Sequence, residues 1–124
     1  MSKEPFATGH CLCGAVKLQL NGEPIRMAQC HCKDCQRASG GGHMSLAFFK
    51  RADAVITGET RSFPVKADSG NINTRYFCPT CGGRLFGENS ARPGIIGVSV
   101  GSLDDNSWFR TQAVVYTKDR SSWD

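Results

Sequence analysis

Val16, Leu18 and Leu20 alternate with Lys17, Gln19 and Asn21, a period of two that places three apolar groups on one face of a β-strand. Asn21-Gly22 then marks a turn. Residues 24–30 read as the partner strand of a hairpin that delivers Cys30 at its end, with Ile25 and Met27 on the face opposite Arg26 and Ala28. Residues 33–38 suit a short helical turn, stopped by Gly40, Gly41 and Gly42. Residues 44–49, 54–57 and 60–65 are further strand candidates, divided by charged residues or glycine. Residues 72–77 alternate again and run straight into Cys78, after which Pro79, Thr80, Gly82 and Gly83 give a turn and residues 84–86 an exit strand. Ile95, Ile96, Val98 and Val100, and then residues 113–117, supply the last strand candidates. No stretch has the length or period of a long helix, so the chain is expected to be mainly β, built of short antiparallel strands.

Composition narrows this picture. A hydrophobic share of 40% with 21% charged residues is globular and excludes a disordered, collagenous or coiled-coil chain. The 124 residues suit one domain spanning 1–124, because halves of that length could not each bury an ordinary core and no linker or repeated strand-and-loop unit divides them. The start has no long apolar stretch behind Lys3, and no segment approaches the roughly 18 apolar residues of a membrane span, so a soluble cytoplasmic protein is expected. The formal charge of +4 permits a nucleic-acid partner. The basic residues are nevertheless dispersed, with no basic-aromatic stripe and no two-Cys, two-His finger spacing, which argues against one.

Seven cysteines in so short a chain are the chemical signal, grouped as Cys11-Leu12-Cys13, Cys30-His31-Cys32-Lys33-Asp34-Cys35 and Cys78-Pro79-Thr80-Cys81. An odd count, and pairs too close in sequence to staple much of a fold, point to metal binding in a reducing compartment over a disulfide scaffold. Thiolates favour zinc, which takes four of them in a closed structural site, although ligand chemistry also admits iron or copper. The most economical partition joins Cys11 and Cys13 to Cys78 and Cys81 and leaves Cys30, Cys32 and Cys35 for a second ion with an open fourth position. Spacing alone equally allows Cys11, Cys13, Cys32 and Cys35 to form one site, or the middle cluster to be structural and completed by His31, His43 or another side chain.

An open zinc position can bind sulfur or polarise a carbonyl, which suits the making or breaking of a bond between a thiol and an aldehyde. The remaining polar residues are read conservatively. His31 is expected to brace its turn through a hydrogen bond, and His10 and His43 carry no spacing that demands a metal. Asp34 reads as a solvated turn carboxylate, residues 40–42 as a turn, and Arg37, Lys50, Arg51 and Arg75 as surface charges. The aromatic residues Phe48, Phe49, Tyr76, Phe77, Phe86, Trp108, Phe109, Tyr116 and Trp123 are expected to pack.

The ordered segments HCLCGAVKLQL, CHCKDCQRASGG, RYFCPTCGGRLF and VSVGSLDD, over about residues 9–105, resemble the glutathione-dependent formaldehyde-activating enzyme family. The resemblance implies an Mss4-like fold organised around zinc, with a structural ion on Cys11, Cys13, Cys78 and Cys81 and a second ion on Cys30, Cys32 and Cys35. It also implies a carbon-sulfur lyase or hydroxymethyl-glutathione-forming activity with glutathione as the thiol. The C-terminal segment departs from the family pattern. Where members commonly have Pro, then His three positions later, then a tryptophan-containing end, this chain has Thr111, Val114 and Trp123, so no role of that histidine carries over. The alternative to an enzyme is a non-enzymatic zinc module that binds a protein.

Overall fold

The computed structural model describes residues 4–124. Residues 1–3 of the expected domain, and with them Lys3, lie outside the described residues. Among the described residues, ten strands form two sheets. The smaller has the order β1 (Ala7–His10), β2 (Lys17–Leu20), β5 (Ala54–Thr57) and is antiparallel throughout. The larger has the order β10 (Ala113–Val115), β3 (Arg26–Cys30), β4 (Met44–Lys50), β9 (Ile95–Ser99), β8 (Arg84–Asn89), β7 (Ile72–Phe77), β6 (Arg61–Lys66). The mainly β expectation therefore holds, with one departure from an all-antiparallel arrangement: β10 runs parallel to β3, Val115 opposite Cys30.

The expected hairpin between residues 16–20 and 24–30 does not form. β2 already has an antiparallel neighbour on each edge, Leu18 facing Gly9 on one side and Ile56 on the other, so no ladder position remains for β3. The Asn21 amide donates to the Asp53 carbonyl at 2.8 Å, and the chain crosses to the larger sheet, where β3 pairs with β4. The alternation that marked β2 is real: Leu18 and Leu20 are buried between exposed Lys17 and Gln19.

Period-two alternation also explains how one sheet serves two purposes. Ala47 and Phe49 of β4, Ile96 and Val98 of β9 and Leu85 of β8 join Ala7, Leu18, Leu20 and Ala54 of the smaller sheet in the main core, with Met27 packed against it. Phe49 is fully buried there, its ring 6.3 Å from those of Phe6 and Trp108. The intervening residues Ala28, Cys30, Met44, Leu46, Phe48 and Gly97 line a cavity of about 710 Å³.

The helix α1 (Lys33–Ser39) follows β3 directly. Its first turn is capped by a thiol, the Cys35 amide donating to Cys32 Sγ at 3.2 Å. Asp34 favours the N-terminal end of the dipole, and the left-handed Gly40 ends the helix by donating to the Gln36 carbonyl at 2.8 Å. Among the described residues no helix is long and apolar enough to cross a membrane.

Candidate metal centres and cavity

The turn after β1 carries Cys11 and Cys13, and the knuckle after β7 carries Cys78 and Cys81. Their four sulfurs lie within 4.8 Å of one another. The separations of 3.7 Å from Cys11 to Cys13 and 3.8 Å from Cys13 to Cys78 match the roughly 3.8 Å edge of a tetrahedron with metal-sulfur bonds of about 2.3 Å. They are far beyond a disulfide bond, and all seven cysteines are free thiols.

Backbone amides point at these sulfurs. Val16 donates to Cys11 at 3.3 Å, Thr80 and Cys81 to Cys78 at 3.4 and 3.5 Å, and Gly83 to Cys81 at 3.4 Å. The left-handed Gly82 closes the knuckle by donating to the Cys78 carbonyl. Amides of Cys13 and Gly83 pull the Cys81 thiol down to about 6. The Ala15 amide pulls Cys13 the same way, but burial and the facing sulfurs prevail and push it up to about 11. Neighbouring thiolates repel, and a divalent cation among them removes that conflict. Donor type, tetrahedral spacing and amide support thus all fit a closed zinc site.

The second group is Cys30, at the end of β3, with Cys32 and Cys35 at the start of α1, their sulfurs again within 4.8 Å of one another. The alternative set of Cys11, Cys13, Cys32 and Cys35 is not brought together. All three sulfur-bearing residues line the cavity. The Cys30 sulfur, followed by burial, holds the Cys35 thiol far above its ordinary value, while the Cys35 hydrogen bond lowers Cys30. Burial raises Cys32. The Arg75 guanidinium reaches Cys35 Sγ at 3.8 Å. Arg84 donates to the Ala38 carbonyl at 3.0 Å and covers the Phe77 ring.

Several conservative readings of single residues change. His31 is buried, but among the described residues neither ring nitrogen has a hydrogen-bond partner, so it does not brace its turn in the expected way. Its ring groups with His43 and Asp124, not with the three sulfurs. His10 stays peripheral, its Nε2 3.6 Å from Asp104. Arg75 is a wall of the cavity, as is Asp34. Arg51 is held by the Ala54 carbonyl at 2.9 Å. Packing accounts for Phe49, Phe86 and Trp108 but not for Tyr116 and Trp123, which are 53% and 73% exposed.

The family model for the glutathione-dependent formaldehyde-activating enzyme matches residues 6–119. The chain belongs to that family. Membership supports a function related to glutathione and formaldehyde. A crystal structure of a Rhodobacter sphaeroides protein superposes with a TM-score of 0.66 at 19% identity, covering 87% of this chain and 99% of that one, a likeness of fold. No curated protein matches the sequence. Val114 lies on β10 opposite Gln29 and is exposed.

Proposed function

We propose that the protein is a cytoplasmic zinc enzyme of one Mss4-like domain, a carbon-sulfur lyase that forms or cleaves the adduct of glutathione and formaldehyde. Cys11, Cys13, Cys78 and Cys81 hold a structural zinc, and Cys30, Cys32 and Cys35 a second one. The observation that carries this reading is the grouping of three sulfurs, and not four, on the wall of a cavity large enough for a tripeptide. When bound there, zinc supplies an open position that favours an anionic sulfur or a polarised carbonyl oxygen.

The chain's own residues bind and orient. Lys33, Arg75 and Arg84 line the cavity and offer positive charge to the two carboxylates of glutathione, while Met44, Leu46 and Phe48 supply an apolar wall that limits water around the reacting sulfur. In the forming direction the thiol sulfur attacks the formaldehyde carbon, a carbon-sulfur bond forms, and the carbonyl π pair moves to oxygen. The proton released by the thiol ends on that oxygen, and the reverse steps release thiol and aldehyde. Arg75, beside Cys35, keeps positive charge next to the sulfurs throughout.

The zinc-loaded protein is expected to accelerate exchange between formaldehyde plus glutathione and their adduct, measured by exchange spectroscopy, with Cys32→Ala at matched folding losing at least about 100-fold. Equal rates for the two proteins would remove the enzymatic reading and leave the non-enzymatic zinc module.

A further inference from the structure

A third cluster of metal-ligating side chains lies outside both cysteine groups. His31, His43 and Asp124 each offer one donor atom, and these atoms lie within 4.8 Å of one another. His43 Nδ1 is 2.7 Å from Asp124 Oδ2, and His31 Nδ1 is 3.5 Å from the same oxygen. The two rings stand 5.2 Å apart at 48°. His31 is 1% exposed, and among the described residues neither of its nitrogens has a hydrogen-bond partner. A buried polar side chain without a partner calls for an explanation.

The surroundings are shaped for the third donor. A Cβ at position 42 would fall on the carboxylate of Asp124 and on the Trp123 ring, so glycine there lets the tail reach the two histidines. The Arg120 side chain fixes the same tail by donating to the Asp124 carbonyl at 2.7 Å. Asp124 and His43 are partly open to solvent, their side chains 22% and 27% exposed, which leaves an entry path and room for further ligands.

We propose that His31, His43 and Asp124 form a third metal site, selective for a borderline first-row divalent ion of the zinc or cobalt type, which clasps the 120–124 segment against the junction of β3 and α1 between Cys30 and Cys32. Two imidazoles and one carboxylate are the donor set such ions accept with open positions. The donors around an ion with bonds of about 2.0–2.2 Å stand roughly 3–3.5 Å apart, so His31 already has its spacing to Asp124 and the His43 to Asp124 contact has to open by less than 1 Å. Magnesium and calcium prefer all-oxygen shells, and copper(I) prefers sulfur.

The test uses the full chain loaded with two equivalents of zinc and titrated with cobalt(II), followed by visible absorption and elemental analysis. The expected result is one further cobalt per chain with no thiolate-to-cobalt charge-transfer band and an unchanged zinc content. His43→Ala and Asp124→Asn, which leave all seven cysteines in place, are each expected to weaken cobalt at least about tenfold, since even partners outside the ligand shell are worth that much. No additional cobalt, cobalt seen only with a thiolate band, or variants that bind it as tightly as the unaltered chain would overturn the proposal and reduce the cluster to a hydrogen-bonded clasp.

Discussion

Cys78 and Cys32 carry the same functional group in different surroundings. Cys78 is fully buried, belongs to the main core, and takes two amide hydrogen bonds, whereas Cys32 is half-buried on the cavity wall. If the proposed partition is right, Cys78→Ala removes a ligand that ties the β7 knuckle to the β1 turn, and the zinc binding energy that contributes to folding goes with it. The expected cost is at least ~3 kcal/mol, or about 10 °C in Tm, against a few degrees for Cys32→Ala. Calorimetry of the two zinc-loaded variants checks this, and equal losses would count against distinct roles. The three runs of cysteine are legible at this scale because their spacing is itself a chemical motif, whereas which runs meet is decided by the fold, since spacing equally allows Cys11, Cys13, Cys32 and Cys35 to share one ion. The cluster of His31, His43 and Asp124 was not, because the last two are 81 positions apart and no spacing rule joins them.

Among the elements, strands with strong alternation were legible and their partners were not. Leu18 and Leu20 marked β2, but its pairing with β1 and β5 was decided by the whole sheet and overrode the local turn signal of Asn21-Gly22. β1 itself escaped notice because Ala7 and Gly9 give a weak apolar signal. Gly9 instead serves close approach. It bridges to Leu103, and a Cβ there would fall on the Ser102 carbonyl oxygen, which belongs to the backbone and cannot swing aside. Gly9→Val is therefore expected to destabilise by about 1–3 kcal/mol in urea unfolding, as overpacking does. An unchanged midpoint would mean that the bridge between β1 and Leu103 is dispensable. The short helix was foreseen with its glycine stop, but its cap was not, since a thiol seldom serves as one.

At the level of the whole molecule, the larger sheet turns one face to the core and the other to the cysteine-lined cavity. The sequence marks β4, β8 and β9 as strand candidates without a face, because both faces are assembled from separate strands, the cavity wall from residues such as Ala28, Leu46 and Gly97. Charge is also reinterpreted at this scale. Seven metal-bound thiolates would take seven from the formal +4 and two zinc ions would return four, leaving +1, which weakens the case for a polyanionic partner.

The central claim is that one cysteine group closes around its ion and the other keeps a position for a thiol. It is tested most directly by anomalous diffraction across the zinc absorption edge on crystals grown with glutathione. The account predicts one zinc enclosed by Cys11, Cys13, Cys78 and Cys81, and another on Cys30, Cys32 and Cys35 whose fourth ligand is the glutathione sulfur in the cavity. A protein side chain in that fourth place, or glutathione bound away from the three sulfurs, would contradict it.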